Sequence, residues 1–338
     1  MLRELTEKKL KFAVIGLGKM GLLHASLLSV LPNVKLVALC DKSTLMNRLF
    51  RKMFSTSGVQ VVNNFEKLSR LHVDGVYVTT PISSHSFIIK SLYEKGITRN
   101  IFVEKTLASN YQQAKELYEI SKKVGGINSV GYMKRFSVIF NKAKELLSQG
   151  NMGELHSFKA YAYSSDFLGL TKESKSSAHR GGALQDIGCH VIDLAVWLLG
   201  DLEVRGLTSC VKAGIGSETS VSFETIGSAG LKGHFDISQS MPNYRMPEFG
   251  LIINCSKGRI EVNDDRLILT SDNNERRKWF KQDCADNVSF FLGESEYFKE
   301  DQRFVNSLLN SKPIEPNFHT ASKVDLIISQ VKECEKNN

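Results

Sequence analysis

The stretch Phe-Ala-Val-Ile-Gly-Leu-Gly-Lys-Met-Gly at residues 12–21 decides the fold. Its four apolar residues predict a buried strand, and the spacing Gly-x-Gly-x-x-Gly then places Gly16, Gly18 and Gly21. In a dinucleotide-binding turn the first glycine permits a tight turn, and the second lets the backbone approach a pyrophosphate. The third lets the next helix pack on the sheet. The N–H groups at the start of that helix attract phosphate, so this turn, with Lys19 and Met20, is predicted to bind a nucleotide.

A second predicted strand, Val34–Cys40, ends directly before Asp41, which lies 20 residues after Gly21. That is the spacing of the acidic residue that binds the ribose hydroxyls of a dinucleotide. A carboxylate there would repel a 2′-phosphate, whereas the adjacent Lys42 would soften the repulsion. NAD(H) is therefore favoured as the cofactor, and NADP(H) stays open. A glycine turn that binds nothing is disfavoured, because strand, turn, helix and acidic residue are all present.

The pattern of predicted elements changes near residue 131. Before it, strands alternate with helices, which is typical of βαβ units and a parallel sheet. After it, strand follows strand, and several alternate apolar and polar residues, as in Val221–Glu224. We therefore predict an α/β protein with an N-terminal Rossmann dinucleotide-binding domain at residues 1–131. A C-terminal α/β domain with a large, open, mostly antiparallel sheet is expected at residues 132–338, with a last helix near 321–333 packing back on the first domain.

Composition excludes several classes of protein. The chain has 338 residues, of which 42% are hydrophobic, 25 are glycine and 6 are proline. These values exclude collagen-like and low-complexity chains, and no apolar run approaches the roughly 20 residues that cross a bilayer. The charged N-terminus predicts no secretory signal. Six scattered cysteines without a Cys-x-x-Cys pair predict reduced thiols, no metal site and a cytoplasmic location.

The net charge of +8 suits an anionic ligand or simply favours solubility. One basic cluster contains two aromatic residues: Arg276, Arg277, Lys278, Trp279, Phe280 and Lys281. A basic patch with aromatic residues makes nucleic-acid binding a rival function. Because the cluster is short and isolated, we interpret it as a solvated loop. Neither nucleic acid nor membrane is predicted as a partner.

Further blocks give the sequence a family resemblance. In chain order after the glycine-rich turn they are Thr80-Pro81 followed by His85, Glu104-Lys105, and Gly-Gly-Ala-Leu-Gln-Asp-Ile-Gly-Cys-His at residues 181–190, then Asp193. With this order and spacing the chain resembles the glucose–fructose oxidoreductase / inositol dehydrogenase / MocA family over nearly its whole length. The resemblance implies an active site in the cleft between the domains. It also implies a homodimer or homotetramer formed through the C-terminal sheet.

Members of that family use a nicotinamide cofactor to oxidise or reduce a ring hydroxyl or carbonyl of a sugar, polyol or sugar nucleotide. By resemblance, Lys105 lies near the nicotinamide and the reacting oxygen, His190 is the general acid/base, and Asp186 is the acid beside it. Histidine suits proton transfer near neutral pH, and a nearby cation stabilises alkoxide charge. The predicted cofactor contacts beyond the turn, Asp41 and Lys42 are Thr79, Thr80, Pro81, His85, Glu104 and Lys105.

Each catalytic assignment has an ordinary alternative. Asp186 could cap a helix, His190 could be a structural histidine, and Lys105 could be a solvated charge. Their joint occurrence in family order favours the catalytic interpretation. Asp186, His190 and Asp193 are expected on one stripe of an otherwise apolar helix at 187–199, with Asp193 as a structural partner of a nearby donor.

Two residues differ from the family pattern and leave details open. Thr106 replaces a proline after Glu-Lys, which leaves the placement of Lys105 open, and Ile82 replaces an asparagine. The candidate substrate contacts are Arg135, Tyr163, His179 and Arg180; for Arg135 a substrate contact and a salt bridge are equally expected. The alternative functions are a keto-sugar-nucleotide reductase of glycan synthesis and a non-catalytic dinucleotide-binding sensor or scaffold.

Overall fold

Two compact units make up the chain. The computed structural model describes residues 9–54, 56–166, 168, 181–213, 217–284 and 295–337. The first unit extends to Gly131 and includes Tyr297–Ser322, and the second consists of Tyr132–Glu296 and the residues from Lys323 onward. No helix in these described ranges is both long and apolar enough to cross a membrane.

The first unit is built on a parallel sheet of six strands. The strands are β1 (Leu10–Ile15), β2 (Val34–Cys40), β3 (Gln60–Val62), β4 (Gly75–Val78), β5 (Ile101–Val103) and β6 (Asn128–Val130). Their order is β3-β2-β1-β4-β5-β6, and every pair is parallel. The helices between them are α1 (Lys19–Val30), α2 (Thr44–Met53), α3 (His85–Glu94) and α4 (Tyr111–Val124). This strand order confirms the predicted Rossmann fold.

The second unit is built on an eight-stranded sheet. Its elements are α5 (Val138–Ser148), β7 (Leu155–Tyr163), α6 (Cys189–Leu199), β8 (Leu202–Ala213), β9 (Ser217–Gly227), β10 (Lys232–Ser238), β11 (Glu248–Cys255), β12 (Gly258–Asn263), β13 (Arg266–Ser271) and β14 (Arg276–Phe280). The strand order is β14-β13-β12-β11-β7-β10-β9-β8, and only β7 and β10 pair in parallel. This arrangement confirms the large, mostly antiparallel sheet.

The alternation along β9 separates a core face from an outer face, as the sequence predicted. Val221 and Phe223 are fully buried, whereas Ser222 is partly exposed and Glu224 is exposed. Successive residues of a strand point to opposite faces, so along β9 the core face is apolar and the outer face is polar.

The basic cluster is a strand, so its interpretation as a solvated loop was wrong. Arg276–Phe280 forms β14 at the edge of the second sheet, where Trp279 lies opposite Leu267. Leu267 is fully buried and gives the strand an apolar anchor. An edge strand has only one neighbour, and charged side chains on it are ordinary. Its basic residues are indeed exposed.

Two helices follow the second sheet in the chain, α7 (Ser295–Asn310) and α8 (Phe318–Asn337). Phe304 of α7 is fully buried, and its ring lies 6.2 Å from that of Phe12, 5.6 Å from Tyr77 and 5.9 Å from Phe102, measured between centroids. Phe12 belongs to β1, Tyr77 to β4 and Phe102 to β5. Helix α7 therefore covers one face of the parallel sheet, within the first unit.

Candidate functional site

The glycine-rich turn joins β1 to α1, and its three glycines serve different needs. Gly16 has φ +98°, and a Cβ there would lie 2.8 Å from backbone atoms of Thr79 and Thr80. A Cβ at Gly21 would overlap the Gly16 carbonyl oxygen, so both glycines are required by packing. A Cβ at Gly18 would meet nothing within 4 Å. The chain's own packing therefore leaves open space at Gly18, where a ligand can approach the backbone.

The start of α1 is suited to an anion. Gly18 is the N-cap residue and has no side chain with which to cap the first N–H groups of the helix. Lys19 is exposed and Met20 is partly exposed. Uncapped N–H groups and the helix dipole together favour phosphate, so the turn has the arrangement that the sequence predicted for nucleotide binding.

Asp41 is fixed beside this turn by two main-chain donors. Its Oδ2 accepts a hydrogen bond from the N–H of Leu17 at 2.7 Å, and its Oδ1 accepts one from Ser43 at 2.8 Å. A carboxylate has about four acceptor positions, so Asp41 can also accept hydrogen bonds from a diol. Lys42 is exposed next to it. The buried Thr79 donates from Oγ1 to the Gly16 carbonyl oxygen at 2.7 Å and so supports the turn from β4.

His85 is buried completely, and it connects the segment at Thr80 with the segment after Lys105. Its Nε2 lies 2.8 Å from the Thr80 carbonyl oxygen, and its Nδ1 lies 3.0 Å from the Thr106 carbonyl oxygen. Burial lowers the pKa of His85, and the hydrogen bonds to the Thr80 and Thr106 carbonyl oxygens oppose part of that shift. These two contacts let His85 hold the two segments together, and its contact with the cofactor stays a prediction. The adjoining Lys105–Thr106 peptide bond is cis.

Glu104 is part of a buried charged group that sequence reasoning missed. Its Oε1 lies 2.9 Å from Nε2 of His24, and its Oε2 accepts a hydrogen bond from the N–H of Lys105 at 3.2 Å. Nδ1 of His24 in turn lies 2.8 Å from Oδ1 of Asp301. Burial by itself lowers the pKa of His24, but Asp301 and Glu104 together raise it well above the usual value. His24 and Asp301 are 277 residues apart, so no local pattern indicates the pair.

In the second unit, His190 lies on α6 between two aromatic rings. Its ring centroid is 5.3 Å from Phe249 and 6.2 Å from Tyr132, both edge-on. Asp186 is partly exposed, and its Oδ2 accepts a hydrogen bond from Nε2 of Gln239 at 2.9 Å. Sequence reasoning missed Gln239, which comes from a distant part of the chain.

The helix that carries these residues begins earlier than predicted and is not regular. Leu184–Gly188 forms a π-helical turn that contains Asp186, and the α-helix starts at Cys189. The four-residue spacing predicts that Asp186 and His190 share one regular α-helical stripe. This prediction is wrong, because Asp186 lies in the π-helical turn and His190 lies on the α-helix. A π-helical turn is uncommon and frequently marks a functional site.

Glu218 on β9 explains Gly182, which comes before that turn. Its Oε1 accepts a hydrogen bond from the N–H of Leu184 at 3.1 Å. Gly182 has φ +83°, and a Cβ there would overlap the Glu218 carboxylate. The glycine therefore lets a buried carboxylate hold the backbone directly ahead of Asp186.

Arg135 and Asp193 form a buried ion pair. Arg135 donates from Nε to Oδ2 of Asp193 at 2.8 Å and from Nη2 to Oδ1 at 2.7 Å. Both side chains are almost fully buried. Of the two expectations for Arg135, the structure shows the salt bridge, and the substrate contact stays a prediction. Asp193 has the structural role predicted for it.

Of the remaining candidate substrate residues, the structure describes Tyr163. Tyr163 donates to Oδ2 of Asp236 at 2.7 Å and stacks on Tyr161. It faces away from the buried Ala160 and Ala162 of the same strand, against which α6 packs. The sheet therefore separates Tyr163 from His190. His179 and Arg180 lie outside the described residues.

Two family models match the chain, and both describe domains of the same oxidoreductase family. Residues 10–132 match the description "Oxidoreductase family, NAD-binding Rossmann fold" (GFO_IDH_MocA), and residues 140–261 match the GFO/IDH/MocA C-terminal domain. The scyllo-inositol 2-dehydrogenase (NAD(+)) of Bacillus subtilis strain 168 is 30% identical over 197 residues, 57% of this chain and 55% of that protein. The alignment thus spans about half of that relative.

A second relative aligns over most of its length. The myo-inositol 2-dehydrogenase of Thermotoga maritima is 25% identical over 326 residues, 90% of each chain. Among solved structures, a levoglucosan dehydrogenase in complex with NADH matches with a TM-score of 0.85 at 17% identity, and the match covers 98% of both chains. At that identity the structural match shows a shared fold.

Alanine substitutions should separate the roles of two glycines. Gly21→Ala should reduce the free energy of unfolding by about 1–3 kcal/mol, because the added methyl overlaps the Gly16 carbonyl oxygen. Gly18→Ala adds its methyl to open space and should change stability by less than about 0.5 kcal/mol. It should nevertheless weaken the binding of NADH, because the methyl occupies the space that the pyrophosphate needs. Urea unfolding and NADH fluorescence titration measure the two effects.

Gly206→Ala is the control, since a Cβ at Gly206 also meets nothing within 4 Å. It should leave NADH affinity unchanged. Equal NADH affinities for Gly18→Ala and the unmodified protein would contradict the assigned role of Gly18.

Proposed function

Because the chain belongs to the GFO/IDH/MocA oxidoreductase family, we propose that it is an NAD(H)-dependent dehydrogenase. It transfers a hydride to or from a ring secondary alcohol or ketone of a sugar, polyol or sugar nucleotide. One observation carries the proposal: a turn suited to a dinucleotide occurs in one chain with a π-helical turn that contains Asp186 and leads into the helix of His190. The relatives named as inositol dehydrogenases support the substrate class.

The first unit fits the cofactor. The open space at Gly18 and the start of α1 suit the pyrophosphate, and the anchored carboxylate of Asp41 suits the ribose hydroxyls. A negative charge at Asp41 also favours NAD(H) over the 2′-phosphorylated cofactor. When bound, NAD(H) supplies the hydride acceptor or donor.

We assign the proton and charge chemistry to three side chains. In the oxidation, His190 takes the hydroxyl proton as the hydride leaves the carbinol carbon, and in the reduction it returns that proton to the oxygen. The ammonium group of Lys105 opposes the negative charge that develops on the reacting oxygen. The carboxylate of Asp186 favours the protonated imidazole, and its bond from Gln239 fixes its orientation.

A substrate screen tests the proposed function directly. The purified protein is mixed with NAD+ and a panel of inositols, free sugars and sugar nucleotides, or with NADH and their keto forms. We expect a change in the absorbance of the reduced nicotinamide with at least one cyclic polyol or sugar. Tight NADH binding without turnover of any compound would contradict an enzymatic role and favour a sensor or scaffold.

Substitution of the assigned residues tests the mechanism. His190→Ala and Lys105→Ala should each lower kcat by roughly 10²–10⁴-fold and leave NADH affinity nearly unchanged, because a proton-transfer or charge-stabilising group is lost. His190→Ala should also flatten the pH dependence of kcat near neutrality, which Lys105→Ala should not do. Stopped-flow turnover and NADH titration measure these effects. Asp186→Asn should have the smaller effect, since it keeps the shape of the side chain.

Two exposed residues provide matched controls for these variants. His156→Ala and Lys115→Ala should turn over the substrate at the unmodified rate, since both side chains are exposed. A His190→Ala protein with the unmodified rate would overturn the proton-transfer assignment.

We also propose that the eight-stranded sheet mediates a homodimer or homotetramer. Its outer face carries the partly exposed Ile252 and Ile268, together with the hydrogen bond from Tyr161 to Glu248. Light scattering at micromolar concentration should give a dimer or tetramer, and Ile252→Lys should shift it towards the monomer by placing a charge in the contact. The control is Leu49→Lys, which lies on the exposed side of α2 and should leave the oligomeric state unchanged. A monomeric unmodified protein would rule out this assembly.

The chemistry of the thiols supports a cytoplasmic location, which we propose. Burial raises the pKa of Cys40 to about 12 and that of Cys210 to about 11, so both remain protonated thiols. All six cysteines are free thiols, and free thiols are typical of proteins in a reducing compartment. Recovery of the protein from an extracellular fraction would contradict this location.

A further inference from the structure

A buried group of charged side chains joins three elements of the first unit. His24 lies on α1, Asp301 on α7, and Glu104 directly after β5. The side chains of His24 and Asp301 are 0% exposed and that of Glu104 is 11% exposed. The two ring nitrogens of His24 lie 2.8 Å from Asp301 and 2.9 Å from Glu104. The mechanism proposed above uses neither His24 nor Asp301.

The surroundings of His24 hold the ring in one plane. The ring centroid lies 4.9 Å from Phe102, 5.3 Å from Tyr77 and 6.4 Å from Tyr297. The titratable and charged groups that face this group come from every element around it: Asp301, Glu300 and Tyr297 of α7, Tyr77 of β4, and Glu104. Because carboxylates flank both ring nitrogens, the imidazole is held in its protonated form.

Protonation determines how many partners the ring can hold. An imidazolium donates from both nitrogens, whereas a neutral imidazole donates from one only. Burial raises the pKa of Asp301, and the charge of His24 opposes that shift. While both carboxylates are ionised they only accept hydrogen bonds, so a neutral His24 would release either Asp301 or Glu104, and the charged ring connects α7 to Glu104.

Glu104 passes this restraint to the next residue. One carboxylate oxygen faces His24, and the other accepts the main-chain N–H of Lys105. Fixing the Glu104 side chain thus fixes the backbone from which the Lys105 side chain extends. His24 is also six residues after Gly18 on the helix that begins at the nucleotide-binding turn.

We propose that Asp301 and His24 are positioning residues for Lys105, acting through Glu104. They set the backbone of Lys105 relative to the helix whose start binds the cofactor. This inference rests on the proposed function, in which the ammonium group of Lys105 opposes charge on the reacting oxygen. A misplacement of about 1 Å at such a group can reduce a rate by 10²-fold, so a buried restraint of this kind has a direct kinetic effect.

The kinetic test uses Asp301→Asn, which keeps the shape of the side chain and removes its charge. We expect kcat to fall about 10–100-fold, with a smaller change in NADH affinity, because the nucleotide-binding turn is untouched. The variant also removes one of the two carboxylates that raise the pKa of His24. Its kcat should therefore fall further as the pH rises through the neutral range, where the unmodified protein keeps its ring protonated.

Glu66→Gln is the matched control for the loss of one carboxylate. Glu66 forms an ion pair with Lys95 in the same unit, and both side chains are about half exposed. This variant should keep the unmodified kcat and pH profile. Urea unfolding of both variants identifies any general loss of stability.

A measurement that does not depend on turnover is the amide resonance of Lys105. In protein labelled with ¹⁵N-lysine, the Lys105 signal is identified by its loss in Lys105→Arg. It should shift in Asp301→Asn and stay in place in Glu66→Gln. The ring resonances of His24 in the unmodified protein should show an imidazolium well above the ordinary histidine pKa of about 6.5.

The outcomes separate this inference from the proposed function. If the unmodified protein turns over a substrate but Asp301→Asn shows the same kcat, pH profile and Lys105 amide signal, the positioning role is wrong and the dehydrogenase stands. If no substrate is turned over, the amide shift alone decides whether the group positions Lys105. If Asp301→Asn does not fold, the His24 titration of the unmodified protein decides, and a ring that loses its proton near pH 6.5 overturns the inference.

Discussion

The close approach of α1 to the turn at Gly16 is the constraint on which the first unit depends. The helix can begin where it does only because Gly21 has no side chain next to the Gly16 carbonyl oxygen. That same carbonyl oxygen accepts the hydroxyl of Thr79, and the adjacent Leu17 N–H is bound by Asp41. One turn therefore fixes the start of α1, the end of β4 and the carboxylate after β2. The space at Gly18 is left for a ligand as a consequence.

Buried charges are the second recurring feature, and each unit has its own. Around Lys105 the group is Asp301, His24 and Glu104. In the second unit Arg135 pairs with Asp193 on the helix of His190, and Lys134 lies 2.8 Å from Asp264. Pairs of this kind are weak evidence for stability, since their desolvation opposes their attraction. Removing one partner is strongly destabilising, so they restrain geometry wherever they occur.

In the second unit, backbone geometry places Asp186 directly ahead of the helix that carries His190. Glu218 binds the main chain at Leu184 and occupies the position that a side chain at residue 182 would need. The π-helical turn follows directly and carries Asp186, whose carboxylate is oriented by Gln239. The absence of a side chain at Gly182 thus accommodates a carboxylate from β9.

The sequence by itself determined the parallel sheet, the nucleotide-binding turn, the position of Asp41 directly after β2, and the run of strands in the second unit. Each follows from residues that are close in the chain, such as the glycine spacing or the alternation of Val221 and Ser222. Only the tertiary structure decided the partners of His24 and Arg135, the edge strand at β14 and the face to which Tyr163 points. The physical reason is distance along the chain. Periodicity indicates which side of an element is apolar, whereas the buried charge of His24 is satisfied by a partner that lies 277 residues away. Only packing brings the two together.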